Sequence, residues 1–371
     1  MKFTVSSVEL QKALTKVSGV VPSKSTLPIL ENILLSLHKN TLKLVATDLE
    51  ASISTALSVK GVEDGTIAVP AKRVMETVRA LPDVQVTFSA DQSTNKIRML
   101  TESGEYNLVG ESSEEFPAAP QFKAEDELEL QGSFVRGMIN KTLFSVSTDE
   151  LRPAMTGVLL QFKGTDLCVV ATDGHRLVRV VFNAVKQAKL KKEIVIPSKA
   201  LNLLSKALTD DMCKIAVDST HVQFSIADTT LTSRLIEENY PNYETVIPLD
   251  NEKKLTISRD ALLAAVRRVS LYSSSTTHQV RFSMKKNEVR VAAEDVDFGG
   301  EAKEKVPCHY DADELEIGFN ATYVADILSH IESDDVVFKF SSAVRAAIIS
   351  PEAGNKDEDV LMLVMPMRLN A

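Results

Sequence analysis

The chain has 371 residues and a formal net charge of −9, because 51 Asp and Glu outnumber 42 Lys and Arg. With 44% apolar and 25% charged residues, the composition excludes a disordered chain, a collagen-like repeat and a disulfide-rich scaffold. The apolar runs are far shorter than the roughly 20 residues that a membrane-spanning helix needs. At about 100–200 residues per domain, the length predicts two to four domains.

The cysteine and motif content disfavours most common enzyme classes. Cys168, Cys213 and Cys308 are odd in number and far apart, so we expect no disulfide, no cysteine metal site and a cytoplasmic location. Met1–Val5 contains no long apolar core, so we expect no secretory signal. The phosphate-binding, dinucleotide-binding, nucleophile-elbow and zinc-protease motifs are missing from the sequence, and we predict no cofactor and no metal.

The predicted elements, taken in chain order, form the same series three times. Each series opens with a helix that follows or begins at a serine, a good helix cap. Alternating strands, a second helix and further strands come next. The opening helices are Ser7–Ser18, Ser133–Ser145 and Ser258–Leu271, the second helices lie within Ile67–Leu81, Ile194–Leu208 and Asn320–Ile331, and sample strands are Thr41–Val45, Val84–Ser89, His221–Ile226, Glu288–Val291 and Val336–Phe340.

Sequence identity supports this repeat. The segment Ile67–Leu81 matches Ile194–Leu208 at five of fifteen positions, and Val45-Ala-Thr-Asp48 recurs as Val170-Ala-Thr-Asp173. The spacing is domain-sized and too long for a solenoid. We therefore predict three α+β domains with antiparallel strands, at residues 1–123, 131–249 and 254–371, each with two helices covering one face of its sheet.

The positive charge is concentrated in the predicted helices. The six helices contain twelve Lys and Arg but only four Asp and Glu, so the rest of this acidic chain is strongly negative. A single basic helix is ordinary on a protein surface. Five of the six helices have more basic than acidic residues, which suggests a shared surface that contacts phosphates. The negative net charge of the chain repels nucleic acid at long range, whereas the basic helices attract it. A protein that encloses DNA would reconcile these two features, because topology rather than affinity would retain the DNA.

Several segments resemble the bacterial sliding clamp, the beta subunit of the replicative DNA polymerase III. The resemblance covers the whole chain and is carried by Thr26–Leu30, Val170–Leu177, the turn that ends at Pro241, Gly318–Val324 and Val364–Leu369. It implies a DNA polymerase processivity factor without catalytic activity. Two chains would form a head-to-tail ring of six domains, with helices lining the inside and antiparallel sheets outside.

The resemblance also implies roles for residues at the DNA and at the subunit seam. DNA-facing positions are expected at Lys12, Lys24, Arg73, Arg136, Lys141, Lys199, Lys206, Arg267 and Arg268. The dimer contact is expected to join Tyr106 and Leu108 to Leu271 and Tyr272 of the second copy. Lys72 or Arg73 pairing with Glu301 or Glu304 at the seam is an alternative role, and the sequence leaves it open.

A pocket for partner peptides is the second function that the family implies. Polymerase III core, the clamp loader, other polymerases and repair proteins would insert a short peptide with apolar anchors. The matching positions are Met155, Thr172, Gly174, His175, Arg176, Leu177, Pro241, Val246, Val364, Met365, Pro366, Met367 and Arg368. Methionines give an adaptable apolar surface, and Arg176 and Arg368 are expected to serve either the rim or a carbonyl of the bound peptide.

Two other functions compete with this interpretation. The first is an enzyme of repeated domains that uses Asp173 and His175, although no nucleophile or metal spacing accompanies them. The second is a protein scaffold that never holds DNA. One departure from the family affects the pocket, since Thr245 stands where a basic residue is expected.

Overall fold

A computed structural model describes residues 1–183, 185, 193–296 and 298–369. Every strand pairing among them is antiparallel, which confirms the predicted α+β class. The α-helices of these residues are α1 (Ser7–Ser18), α2 (Ala71–Ala80), α3 (Gly132–Thr142), α4 (Ser198–Ala207), α5 (Arg259–Ser270) and α6 (Ala321–Ser329).

The chain divides into two compact units. The first unit comprises Met1–Arg136 with Lys199–Leu235, and it holds a five-stranded and an eight-stranded sheet. The order of the five-stranded sheet is β5 (Lys60–Glu63), β1 (Lys2–Ser6), β7 (Gln85–Asp91), β8 (Lys96–Leu100) and β9 (Glu105–Val109). The order of the eight-stranded sheet is β10 (Asp126–Gln131), β15 (Met212–Val217), β16 (His221–Ile226), β17 (Thr229–Arg234), β4 (Ala51–Ser58), β3 (Thr41–Thr47), β2 (Asn32–His38) and β6 (Gly65–Pro70).

The second unit comprises Gly137–Ser198 with Ile236–Ala371 and holds a twelve-stranded sheet. Its first four strands come from the predicted middle domain and the other eight from the predicted third domain. In sheet order they are β14 (Ile194–Pro197), β11 (Gly157–Lys163), β12 (Asp166–Thr172), β13 (Arg176–Phe182), β25 (Glu358–Val364), β24 (Ala347–Pro351), β23 (Asp335–Phe340), β18 (Lys253–Ser258), β21 (Gly300–Tyr310), β20 (Glu288–Asp295), β19 (Gln279–Lys285) and β22 (Leu315–Asn320).

Strands of successive repeats pair directly, which the sequence did not predict. Strand β17 pairs with β4, with Leu231 opposite Ile53, and β13 pairs with β25, with Val178 opposite Met362. Each pairing gives hydrogen-bond partners to an edge that an isolated domain would expose.

Helix α1 shows how the sequence sets the packing of a helix. Leu10, Ala13, Leu14 and Val17 are buried at the i, i+3, i+4, i+7 spacing that places them on one face. Ser6, one residue before the predicted cap, accepts a hydrogen bond from the Val8 amide at 3.2 Å. The hydroxyl of Ser7 donates instead to the Pro82 carbonyl at 2.7 Å.

The other two opening helices differ from the prediction, one in its end and the other in its cap. The predicted helix Ser133–Ser145 becomes α3, which ends at Thr142 and continues as a short 3-10 helix, Leu143–Ser145. Thr142 directs its hydroxyl to the Met138 carbonyl at 2.8 Å, a local bond that competes with regular helix geometry. Ser258 precedes α5 as predicted, but its side chain makes no capping hydrogen bond.

Candidate peptide pocket and basic surfaces

The turn between β12 and β13 is held by its own side chains. Oδ1 of Asp173 accepts hydrogen bonds from the amides of His175 and Arg176 at 2.8 and 2.9 Å. The Thr172 hydroxyl donates to the Arg176 carbonyl at 2.6 Å. Gly174 has a φ of +89°, a conformation that L residues with a Cβ adopt at a cost. The turn therefore presents the His175 side chain in a fixed direction.

The C-terminal segment lies beside this turn. Strand β13 pairs with β25 so that Arg176 is opposite Val364, and the Met365 amide donates to the His175 carbonyl at 2.8 Å. Two residues later, the Met367 amide donates to the Gly318 carbonyl at 2.8 Å. Sheet pairing thus brings together Val364–Arg368 and the Thr172–Leu177 segment, although the two are distant in the sequence.

A third segment adds the remaining predicted pocket residues. Leu177 belongs to a buried apolar cluster with Val170, Tyr243 and Leu363. Tyr240 and Ile247 pack against that cluster, and their chain neighbours are the exposed Pro241 and Val246. The predicted pocket residues therefore divide into a buried group (Met155, Thr172, Arg176, Leu177 and Val364) and a more accessible group (Gly174, His175, Pro241, Val246, Met365, Pro366, Met367 and Arg368).

Arg176 does not lie at the rim, so the first of the two roles expected for it is corrected. Its side chain is only 10% exposed and is held at three places. Nε donates to Asp173 Oδ2 at 3.0 Å, Nη1 to Asp326 Oδ2 at 2.5 Å and Nη2 to the Phe144 carbonyl at 2.7 Å. Arg368, in contrast, is exposed.

Both carboxylate oxygens of Asp173 are used inside the protein. Oδ1 binds the two turn amides and Oδ2 binds Arg176. The ring of His175 stacks on Tyr323 at 5.9 Å between centroids, and no hydrogen bond joins that ring to Asp173 among the described residues. The geometry therefore gives no support to an Asp–His acid–base pair, which would need such a bond.

Two residues that the sequence did not single out border the same turn. Tyr323 of α6 stacks on His175, and Arg152 places Nη1 3.2 Å from the point that a Cβ on residue 174 would occupy. In the sequence, the Gly318–Val324 segment only carries part of the family resemblance. A contact between α6 and the turn leaves no periodic signal in the sequence, because it joins segments that are distant in the chain.

The cluster beneath these residues is electrically neutral. Burial raises the pKa of the Cys168 thiol, and burial together with the contact to Cys168 raises the pKa of Tyr243. The Tyr243 hydroxyl donates to Gln161 Oε1 at 3.1 Å. Burial also raises the pKa of Tyr240, and the charge of Asp173 acts in the same direction. A neutral, apolar interior therefore lies beneath the accessible pocket residues.

The predicted DNA-facing residues differ in their present partners. Lys24, Arg73 and Lys206 are exposed, and within the described parts of the chain they form no ion pair. Lys12 pairs with Glu9 at 2.9 Å, Lys199 pairs with Asp48, and Arg267 donates to the Ser329 hydroxyl. Arg136 donates to the Leu208 carbonyl at 2.7 Å and lies 3.6 Å from Asp210.

Two predicted DNA-facing residues have strong internal partners. Nζ of Lys141 lies 2.6 Å from Glu358 Oε1, and both side chains are only 12% exposed. The guanidinium of Arg268 binds both oxygens of Glu304 at 2.8 and 2.6 Å, and this pairing raises the pKa of Arg268. Glu304 is therefore already paired within its own chain, which weighs against its pairing with Lys72 or Arg73, whereas the pairing with Glu301 stays a prediction.

The predicted seam residues lie on accessible parts of each unit. Leu271 and Tyr272, directly after α5, are 81% and 48% exposed. Tyr106 and Leu108 are half-buried on β9, the edge strand of the five-stranded sheet. An apolar end of a helix and an open strand edge are both features that a second copy can cover.

Comparison with known proteins decides the family. Models of the N-terminal, central and C-terminal domains of the DNA polymerase III beta subunit match residues 1–120, 129–242 and 244–368. The chain belongs to the DNA polymerase III beta subunit family. Within this family it is 31% identical to the beta sliding clamp of Vibrio cholerae and 32% identical to that of Synechococcus elongatus, with full coverage of each chain.

Solved sliding clamps have the same fold. A Bartonella birtlesii sliding clamp bound to griselimycin has a TM-score of 0.95 at 30% identity, and a Pseudomonas aeruginosa clamp bound to the same compound has a TM-score of 0.93 at 30% identity. Both matches cover 100% of each chain. The chain is therefore a DNA polymerase processivity factor, an accessory subunit with DNA and polymerase as partners, and not an enzyme. No helix in the described residues is long and apolar enough to cross a membrane.

Proposed function

We propose that this sliding clamp works as a head-to-tail homodimer in the cytoplasm, with three clamp domains per chain at residues 1–123, 131–249 and 254–371. Leu271 and Tyr272 of one copy would meet Tyr106 and Leu108 of the other. The exposure of the first pair and the open edge of β9 support this seam. The closed ring would enclose duplex DNA without reading its sequence.

The observation that carries the DNA part of the proposal is the charge of the helices. All twelve Lys and Arg of the predicted helices lie within the observed α1 to α6, together with only four acidic residues. We assign DNA contacts to Lys12, Lys24, Arg73, Arg136, Lys199, Lys206 and Arg267. Lys141 is left out because it and Glu358 are only 12% exposed, and Arg268 is left out because it binds both oxygens of Glu304.

The pocket proposal rests on the convergence of three chain segments. The Thr172–Leu177 turn, the Pro241–Val246 segment and Val364–Arg368 surround a neutral apolar cluster in the second unit. Polymerase III core, the clamp loader, other polymerases and repair proteins would dock here through short peptides with apolar anchors. Griselimycin, found on two related clamps, would be a small-molecule probe of this surface.

Retention on DNA of different topology tests the ring. Labelled protein is loaded on nicked circular DNA with a clamp loader and ATP, washed in high salt, and the DNA is then cut. Salt removes phosphate-driven binding, so we expect retention on the circle and release after cutting. Equal loss from both forms, with the loader active on a reference clamp, would contradict enclosure and favour the scaffold hypothesis.

Charge substitutions test the DNA contacts. Lys24→Gln combined with Lys206→Gln should weaken binding to short linear duplex and lower the salt slope by about 0.9 for each phosphate that is no longer neutralised. Lys305→Gln combined with Lys286→Gln removes the same charge from two lysines that are not assigned to DNA and should leave the slope unchanged. If both pairs of substitutions lowered the salt slope equally, Lys24 and Lys206 would contribute only through the net charge of the protein and not through specific phosphate contacts.

Substitution of accessible residues tests the pocket. The probes are griselimycin and a labelled ten-residue peptide selected on the wild-type chain from a library rich in Leu and Phe. Val246→Asp and Met365→Asp place a charge beside apolar anchors and should lower affinity for the peptide at least tenfold. Val62→Asp, on another exposed valine (70% exposed), is the control. Unchanged affinity in both pocket variants would refute this location.

A further inference from the structure

Asp326 on α6 makes a contact that none of the roles above explains. The helix buries Ala321, Val324, Ile327 and Leu328 in the core. Tyr323 and Asp326, one turn apart, lie on another face and both reach Arg176. Oδ2 of Asp326 lies 2.5 Å from Arg176 Nη1, and the Tyr323 ring lies 4.8 Å from the guanidinium carbon.

Arg176 in turn holds the turn that presents His175. Its Nε binds Asp173 Oδ2 at 3.0 Å, and Oδ1 of the same carboxylate binds the His175 amide at 2.8 Å. The His175 ring stacks on Tyr323, the residue one helical turn before Asp326. The contacts therefore run in sequence from Asp326 to Arg176, Asp173, His175 and Tyr323, and α6 itself joins Tyr323 back to Asp326.

The burial of Arg176 makes these contacts depend on its carboxylates. The arginine side chain is 10% exposed, with Phe144 as well as Tyr323 next to the guanidinium. A charge removed from water needs partners with good geometry. Asp173 and Asp326 supply the two negative charges, and only Asp326 comes from outside the turn.

We propose that Asp326 is a positioning residue for peptide binding, acting through Arg176 on the Thr172–Arg176 turn and on the His175–Tyr323 stack. This inference rests on the peptide pocket proposed above. Asp326 fixes the turn before the ligand arrives, and a preorganised site loses less conformational entropy on binding. The acidic residue of α6 thus serves the peptide pocket.

Asp326→Asn is the test variant because it keeps the shape and removes the charge. We expect the Kd of the selected peptide to rise about tenfold, the size expected when a charged hydrogen bond is removed. Asp326→Glu keeps the carboxylate and should recover most of the affinity. Asp260→Asn is the matched control, since this α5 carboxylate is 79% exposed and bonds the adjacent Arg259; it should change the Kd by less than about twofold.

A double-mutant cycle separates positioning from general stability. If Asp326 acts on the turn that presents His175, the loss of affinity caused by Asp326→Asn should fall below about threefold in the His175→Ala background. An equal loss in both backgrounds, or a fall in thermal midpoint without a change in Kd, would overturn the inference. If Asp326→Asn, Val246→Asp and Met365→Asp all leave the Kd unchanged, the peptide does not bind at the proposed pocket. If only Val246→Asp and Met365→Asp weaken binding, the pocket stands and the role of Asp326 is contradicted.

Discussion

Asp48 and Asp173, which occupy equivalent positions in two repeats, make the same hydrogen bonds. Oδ1 of Asp48 accepts from the amides of Glu50 and Ala51 at 3.0 and 2.7 Å, as Asp173 does with His175 and Arg176. The preceding threonine of each turn donates to the carbonyl four residues later. The two turns differ at the residue after the aspartate, which is Leu49 with a φ of +78° in one and Gly174 with a φ of +89° in the other.

Gly174→Ala should weaken both the turn and peptide binding at the proposed pocket. A Cβ at this φ costs about 1 kcal/mol, and it would lie 3.2 Å from Arg152 Nη1 and 3.5 Å from Met155 Cε. We expect a lower thermal midpoint and weaker binding of the selected peptide, measured by calorimetry and by fluorescence anisotropy. Unchanged values for both would show that the turn tolerates a side chain.

Leu49→Gly is the reciprocal change. It relieves the positive-φ strain of a 51% exposed leucine, but glycine adds about 0.5–1 kcal/mol of entropy to the unfolded chain. The two effects nearly cancel, so the midpoint of urea unfolding should stay close to that of the wild type. A large destabilisation would mean that the Leu49 side chain makes an important contact.

Lys141→Met should destabilise the protein and leave DNA binding nearly unchanged. The substitution leaves Glu358, which is only 12% exposed, without its cation. We expect the free energy of unfolding to fall by about 2–3 kcal/mol, near the lower end of the range for breaking a buried ion pair. Lys141→Met combined with Glu358→Leu should recover most of this stability. Lys305→Met breaks an ion pair whose side chains are 67% and 39% exposed and should cost less than about 1 kcal/mol. A reduced DNA salt slope in Lys141→Met would return this lysine to the DNA-facing set.

The Cys308 thiol should react slowly below alkaline pH. Burial, together with the Glu288 charge, raises its pKa to about 11, so little nucleophilic thiolate exists at about pH 8. Since the pKa in the folded chain lies above the ordinary thiol value of 9.0, the thiol contributes stability at lower pH that is lost as pH rises from about 9 through 11.

Iodoacetamide labelling followed by peptide mass mapping measures this reactivity. The rate at Cys308 should rise steeply toward a pH of about 11, and Glu288→Gln should shift the profile to lower pH. Buried Cys213, with a pKa raised to about 12 by burial, is the internal reference and should label more slowly. Rapid labelling of Cys308 near neutral pH in the folded protein would contradict the raised pKa.

Two neighbouring tyrosines should respond differently to removal of their hydroxyls. The buried Tyr240 oxygen interacts with the Thr172 backbone but forms no hydrogen bond of good geometry among the described residues, so Tyr240→Phe should cost little. The Tyr243 oxygen is bonded to Gln161, so Tyr243→Phe should cost about 1 kcal/mol. Urea unfolding of both variants measures the difference, and the reverse order would contradict these hydrogen-bond assignments.

The sequence by itself determined the repeated elements and the family. Local capping groups and the 3.6-residue spacing of apolar side chains predicted α1 within its observed limits, because both act over a few neighbouring residues. The motifs around Asp173 and Met365 led to the sliding clamp family, which three matching domain models confirm.

Only the tertiary structure decided which side chains meet. The pairing of β13 with β25 placed Arg176 opposite Val364 and left its guanidinium against Asp326. The same fold packed Lys141 against Glu358, although the position of this lysine on a basic helix suggested a contact with DNA. Such contacts depend on the order and register of strands from distant segments. Local sequence patterns do not predict them, because each segment would form the same helix or strand without these contacts.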